Sequence, residues 1–149
     1  MRLAQNKHRY ALLTIGEDAN KKAFLPYVKI LNDLGYYFYA TEHTHQFYQK
    51  HGIDSVFIYK MRQNKYPNLE ELLQQNFFDL IIHTPYKNKP ENAEDEEVIR
   101  KWAVKHKIMT VSDVNTFKLL TRKLQKYTIA QKKVADEQKR KLESQDSRP

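Results

Sequence analysis

ALLTIGEDANKKAFLPYVKILNDLGYYFYA, residues 11–40, is the stretch that decides the fold. Its first five residues, ALLTI, are an apolar run of strand length. Residues 21–34 then place Phe24, Tyr27, Val28, Leu31 and Leu34 three and four apart, on one face of a helix, and Gly35 supplies the stop. Residues 36–40, YYFYA, are aromatic and suited to a second strand. Strand, helix and strand in immediate succession make a right-handed βαβ unit with parallel strands.

The same alternation continues outward. Residues 44–50 read as a short helix closed by His51 and Gly52, and residues 56–59, VFIY, as a third strand. Pro67 and Asn68 open a helix through Leu69, Leu72 and Leu73. Residues 79–83, DLIIH, make a fourth strand with a nearly continuous apolar interior. The acidic run at residues 94–97 suits the positive end of a helix whose apolar face is Val98, Ile99, Trp102 and Ala103. Residues 108–111, IMTV, are a fifth strand, after which Asp113 caps a last helix bearing Val114, Phe117, Leu120 and Leu124. The expected fold class is α/β: a three-layer sandwich around a five-stranded, mainly parallel sheet.

The chain has 149 residues, enough for one core that buries about two-thirds of the unfolded surface. It has no cysteine, which excludes disulfides, thiolate metal sites and a cysteine nucleophile. No apolar run approaches a membrane span, and residues 1–10 lack the apolar core of a secretory signal, so a non-secreted domain without membrane contact is expected, cytoplasmic or in the mitochondrial matrix. The net charge of +8 hints at an anionic partner. Residues 118–149, however, carry 10 Lys and Arg against 4 Asp and Glu, so +6 of that excess belongs to the last helix and the C-terminal tail. Apolar content collapses from about residue 126. The expected organisation is a folded domain over residues 1–125 and a basic, solvated helical or disordered tail over residues 126–149. Charge placed there argues poorly for a nucleic-acid surface on the domain, and nucleic acid is not expected as a partner.

In open parallel sheets, ligands bind beyond the carboxyl ends of the strands. After the first strand comes Lys21, read as standing at a helix start beside free amides; after the second come Thr41 and Thr44; after the third, Lys60; after the fourth, His83 and Thr84. Each has an ordinary explanation alone, a solvated lysine or a capping threonine. Together they converge as ammonium and hydroxyl donors around one anion. Neither GxxxxGK[ST] nor GxGxxG occurs, so no cofactor is implied.

ATEHT after the aromatic strand, LNDLGYYFYAT before it, and then GID, VFIYK, PNLEELLQQNFFDLIIHTP and VIRKWAVKHKIMTVSDVNTFKLL resemble, in order and spacing, the methylglyoxal-synthase-like domain. The version resembled is the allosteric domain at the C-terminus of the large subunit of carbamoyl phosphate synthetase, and the resemblance covers residues 11–124. It implies a Rossmann-like sheet and an anionic small-molecule effector, UMP, IMP or an acetylated amino acid. By the same resemblance, the family's phosphate-holding lysine falls on Lys21, the threonines of its AT-x-x-T motif on Thr41 and Thr44, and its second lysine on Lys60. Two positions depart from the pattern: His83 stands where asparagine is usual, and His43 where glycine is common.

The enzymatic member of this family needs a carboxylate base beside the phosphate, given there by a Gly-Gly-Asp loop after the third strand and an aspartate after the fourth. Residues 61–66, MRQNKY, hold no acid, and the fourth strand runs into His83, Thr84 and Pro85. Binding without catalysis is therefore expected, with the catalytic domains of the synthetase as partners; a phosphate lyase and a basic nucleic-acid module are the alternatives. His43 and His45 diverge by roughly 200° on a helix and make no metal site.

Overall fold

The structure, a computed structural model, describes residues 9–146. Residues 1–8 of the expected domain and residues 147–149 of the expected tail lie outside the described residues. Strands β1 (Arg9–Ile15), β2 (Tyr36–Ala40), β3 (Val56–Phe57), β4 (Leu80–Thr84) and β5 (Met109–Val111) alternate with helices α1 (Asp18–Asp33), α2 (Glu42–Lys50), α3 (Leu69–Gln74), α4 (Ala93–His106) and α5 (Val114–Asp146). The strands form one sheet in the order β3-β2-β1-β4-β5, and every pairing is parallel.

Alternation along β1 sets the layers. Ala11, Leu13 and Ile15 point to one face, where they meet Phe24, Val28 and Leu31 of α1, Tyr48 of α2 and Phe117 and Leu124 of α5. Leu12 points to the other, against Leu69, Leu72 and Leu73 of α3 and Val98, Ile99 and Trp102 of α4. Helices cover both faces, the expected sandwich. Arg9 Nη1 donates to Leu34 O at 3.0 Å just past α1, and Gly35 at φ +90° turns the chain into β2.

Two helices start earlier than their apolar faces suggest: α1 begins at Asp18 and α2 at Glu42, each with an acid in its first turn. An apolar stripe marks where a helix packs, and its leading turn is polar. The third strand is shorter than expected. Only Val56–Phe57 pairs, at the sheet edge beside β2, while Ile58 is buried outside the strand and Tyr59 makes an isolated bridge to Asn68. The helix α5 runs without a break through residue 126, and its last buried residue is Leu124.

Candidate functional site

Order reverses in the sheet between β1, which leads to β2 on one side, and β4, which lies on the other. Such a switch point opens a crevice at the carboxyl ends of the two strands. The register pairs Thr14 with His83 and Ile15 with Thr84 at this place. Thr41, Thr44, Lys60, His83 and Thr84 line one small cavity there, about 30 Å³ in volume. Lys21 is separated from that cavity by Tyr86, to whose Oη its Nζ donates at 2.9 Å.

The three threonines are in different states. Thr44 Oγ1 accepts from Ile15 N at 3.1 Å and lies 3.3 Å from Ile15 O, to which it donates. Thr84 Oγ1 does the same for Gly16, at 2.9 and 3.2 Å. Both hydroxyl protons therefore serve backbone carbonyls at the end of β1, Ile15 O and Gly16 O. Thr41 is the N-cap residue of α2, is buried, and makes no side-chain capping bond. Its hydroxyl is free to donate, next to first-turn amides of α2 that have no intrahelical acceptor.

Lys21 does not stand at a helix start. It is the fourth residue of α1, and its amide is bonded to Glu17 O at 3.1 Å, because α1 begins three residues sooner than expected. Its side chain is only 4% exposed. The nearest acid, Asp18, is 3.4 Å away with its side chain 82% exposed, so this pair is a weak counterweight. Lys60 is 7% exposed, and its Nζ donates to the neutral amide oxygen Asn92 Oδ1 at 3.3 Å. Burial pushes its pKa below the ordinary lysine value; Arg62 and Lys89 push the same way, while Asp95 and Glu42 oppose.

His83 Nδ1 lies 2.8 Å from Thr14 Oγ1 and 3.1 Å from Thr14 O. A carbonyl only accepts, so Nδ1 carries the proton and Nε2 is left as an acceptor. Burial lowers its pKa, against Glu96, the Thr14 carbonyl and Asp95, which raise it.

Asp95 is the residue that the sequence reading missed. It lies in the first turn of α4, 8% exposed, lines the same cavity as Lys60 and His83, and accepts from Met61 N at 2.9 Å. Burial raises its pKa, while the Met61 amide, Lys60, Arg62 and His83 lower it. The absence of an acid from residues 61–66 is thus made good from another element. The sequence did carry a signal: Asp95 precedes Val98 and Ile99 by three and four residues, on the buried stripe, whereas Glu94 and Glu97 are off it.

Gly16 lets the loop after β4 close over the site. A Cβ there would lie 2.6 Å from the carbonyl carbon and oxygen of Pro85 and 2.7 Å from Tyr86 N, all backbone atoms. Gly16→Ala is expected to cost about 1–3 kcal/mol as this overlap is relieved, read as a lower urea midpoint; an unchanged midpoint would mean that the loop gives way freely.

A larger cavity of about 610 Å³ opens at the opposite edge, by the first residues of β2, β4 and β5, but its walls are chiefly apolar and it lies away from the switch point. His43 is exposed and His45 Nδ1 bonds Ser55 Oγ at 2.6 Å. Among the described residues no group of three or more His, Asp or Glu is placed to hold a metal ion, and no helix is long and apolar enough to cross a membrane.

The family model of the MGS-like domain matches residues 23–112. The carbamoyl phosphate synthase large chain of Agathobacter rectalis is 28% identical over 119 residues, 80% of this chain and 11% of that protein. The large chain of Acidobacterium capsulatum is 34% identical over 97 residues, 65% of this chain and 9% of that one. The multifunctional protein pyr-3 of Neurospora crassa is 32% identical over 124 residues, 78% of this chain and 7% of that protein. The chain spans about a tenth of the length of these relatives. With the five-stranded parallel sheet and a match over residues 23–112, the chain belongs to the MGS-like domain family.

Proposed function

We propose that the chain is a non-catalytic regulatory domain that binds an anionic small molecule at the carboxyl edge of its sheet and regulates carbamoyl phosphate synthesis. The observation that carries this reading is a pair of buried ammonium groups, Lys21 and Lys60, with no buried acid in ion-pair contact: the one ion pair among the described residues joins Lys21 to exposed Asp18. A buried charge is costly unless a partner meets it. An effector's phosphate or carboxylate meets both lysines, and Thr41 with the first-turn amides of α2 adds hydrogen bonds from the other side. Thr44 and Thr84 contribute by holding the end of β1 in place. His83, with Nε2 as acceptor, receives a donor from the rest of the effector. UMP, IMP and N-acetylglutamate, the effectors that the resemblance implies, are the compounds to try first.

Regulation needs more than tight binding. The effector must prefer one of two arrangements of this domain against the catalytic domains of a synthetase, since equal affinity for both shifts nothing. Thermal shift and calorimetry with the three compounds test the binding step. At least one is expected to raise the melting temperature, and Thr41→Ala to weaken it about tenfold, the loss of one charge-assisted hydrogen bond. No shift with any compound at millimolar concentration would overturn the reading.

Asp95 favours a second reading, a phosphate lyase, because it is a carboxylate with a raised pKa in the same cavity. Phosphate release from dihydroxyacetone phosphate that disappears in Asp95→Asn would establish it over the regulatory one.

A further inference from the structure

Tyr86 stands between the two lysines of the anion site. Its Oη accepts from Lys21 Nζ at 2.9 Å, and three ammonium groups surround its ring: Lys21 at 5.2 Å, Lys60 at 5.3 Å and Lys89 at 4.8 Å from the centroid. An aromatic face carries partial negative charge and attracts cations within about 6 Å. Lysines from three separate segments, which repel one another, are thus gathered around a single ring. The cavity left beside it is small, about 30 Å³. The ring lies where the three ammonium groups converge, the place that an anionic group would take.

The segment that carries the ring is held down. Lys87 N donates to Glu17 Oε1 at 2.7 Å, and the Pro85–Tyr86 backbone lies against the bare Cα of Gly16. Glu17 itself is at φ 61°, a conformation that a side chain with a Cβ rarely takes. The two contacts hold the closed position against the strain at Glu17, and all three features are on the short link between β1 and α1.

From this arrangement we infer that Tyr86 is a built-in plug of the anion site, a side chain that takes the place of the effector's anionic group among Lys21, Lys60 and Lys89 and must swing out before that group can enter. The inference rests on the anion-site reading above and adds what controls access to it. Binding competence is then set by the fraction of molecules with the ring displaced, and the apparent Kd is the intrinsic value divided by that fraction. Displacement also frees Lys89, so the open site offers three cations. Tyr86→Ala leaves the lysines without their surrogate, and it binds anions more tightly although it removes a side chain from the site.

The experiment is calorimetric titration of inorganic phosphate, UMP, IMP and N-acetylglutamate, at fixed ionic strength, into wild type, Tyr86→Ala and Tyr86→Phe. Alanine is expected to tighten binding about tenfold. Phenylalanine, which keeps the ring and loses only the bond from Lys21, is expected to tighten it a few-fold. Unchanged or weaker binding by Tyr86→Ala, with wild type still binding, overturns the plug and leaves the anion site standing. Failure of all four compounds to bind any of the three proteins overturns the anion site, and the plug with it. If the alanine variant does not fold, the phenylalanine variant decides: a lower melting temperature without tighter binding makes Tyr86 merely structural and overturns the inference.

Discussion

Replacing Lys60 by methionine is expected to weaken binding of the proposed effector about a hundredfold and to leave the fold in place. Methionine keeps most of the buried stem and removes the ammonium, which touches only Asn92 Oδ1 by hydrogen bond. A charge-assisted bond to an anion contributes about 1.5–3 kcal/mol, and a hundredfold is about 2.8 kcal/mol. The pH dependence gives an independent readout. Burial lowers the pKa of Lys60, so near the lowered value the unfolded chain binds more protons than the folded one, and stability rises with pH up to the ordinary lysine value of 10.5. That rise is expected in wild type and lost in Lys60→Met. Asp95 reports the same change from the other side: without Lys60, one of the charges holding its carboxyl down is gone, and its already raised pKa climbs further. Carbon NMR of the Asp95 carboxyl follows this directly. Undiminished binding by Lys60→Met would remove Lys60 from the anion site.

These groups differ in how far the sequence reveals them. Lys21, Thr41, Lys60 and His83 are legible because parallel topology sends the residues after each strand to the same edge, however the loops run. The same rule cannot say what a hydroxyl does on arrival, and so Thr44 and Thr84 look like Thr41 until their bonds to Ile15 and Gly16 are seen. Asp95 is hidden for another reason. Its acidic neighbours suit a helix N-terminus, and only its place on the stripe with Val98 and Ile99 sets it apart from exposed Glu94. Tyr86 is not legible at all, since the lysines around its ring come from α1, from the segment after β3 and from its own loop. The strand VFIY is misread because apolar character reports burial: Ile58 is fully buried while paired by a single amide bond to Ala40 O outside any strand. YYFYA, by contrast, pairs with β1 along all five residues, and sequence and structure agree at Tyr36–Ala40.

Phe117→Ala is expected to destabilise the protein by about 3–5 kcal/mol, and Leu142→Ala, on the same helix, by less than about 0.5 kcal/mol. Phe117 is fully buried and packs edge-on against Phe24 at 5.4 Å and tilted against Tyr27 at 5.7 Å, so its loss opens a void between α5 and α1. Leu142 is 61% exposed near the far end of α5. A domain of this size has about 5–15 kcal/mol in hand, so the first change should move the urea midpoint far and the second hardly at all. The contrast decides how the chain is divided, because α5 is continuous and its backbone gives no boundary. Residues 126–149 carry 7 Lys and Arg against 4 Asp and Glu, so removing them lowers the net charge from +8 to +5. If residues 1–125 are the folding unit and residues 126–149 an appended basic helix, that removal costs less than Phe117→Ala alone and leaves the sheet intact. A truncation as costly as Phe117→Ala would instead mean that the second half of α5 is bound to the domain by contacts that reach past Leu124, and that the basic segment is part of the fold it extends from.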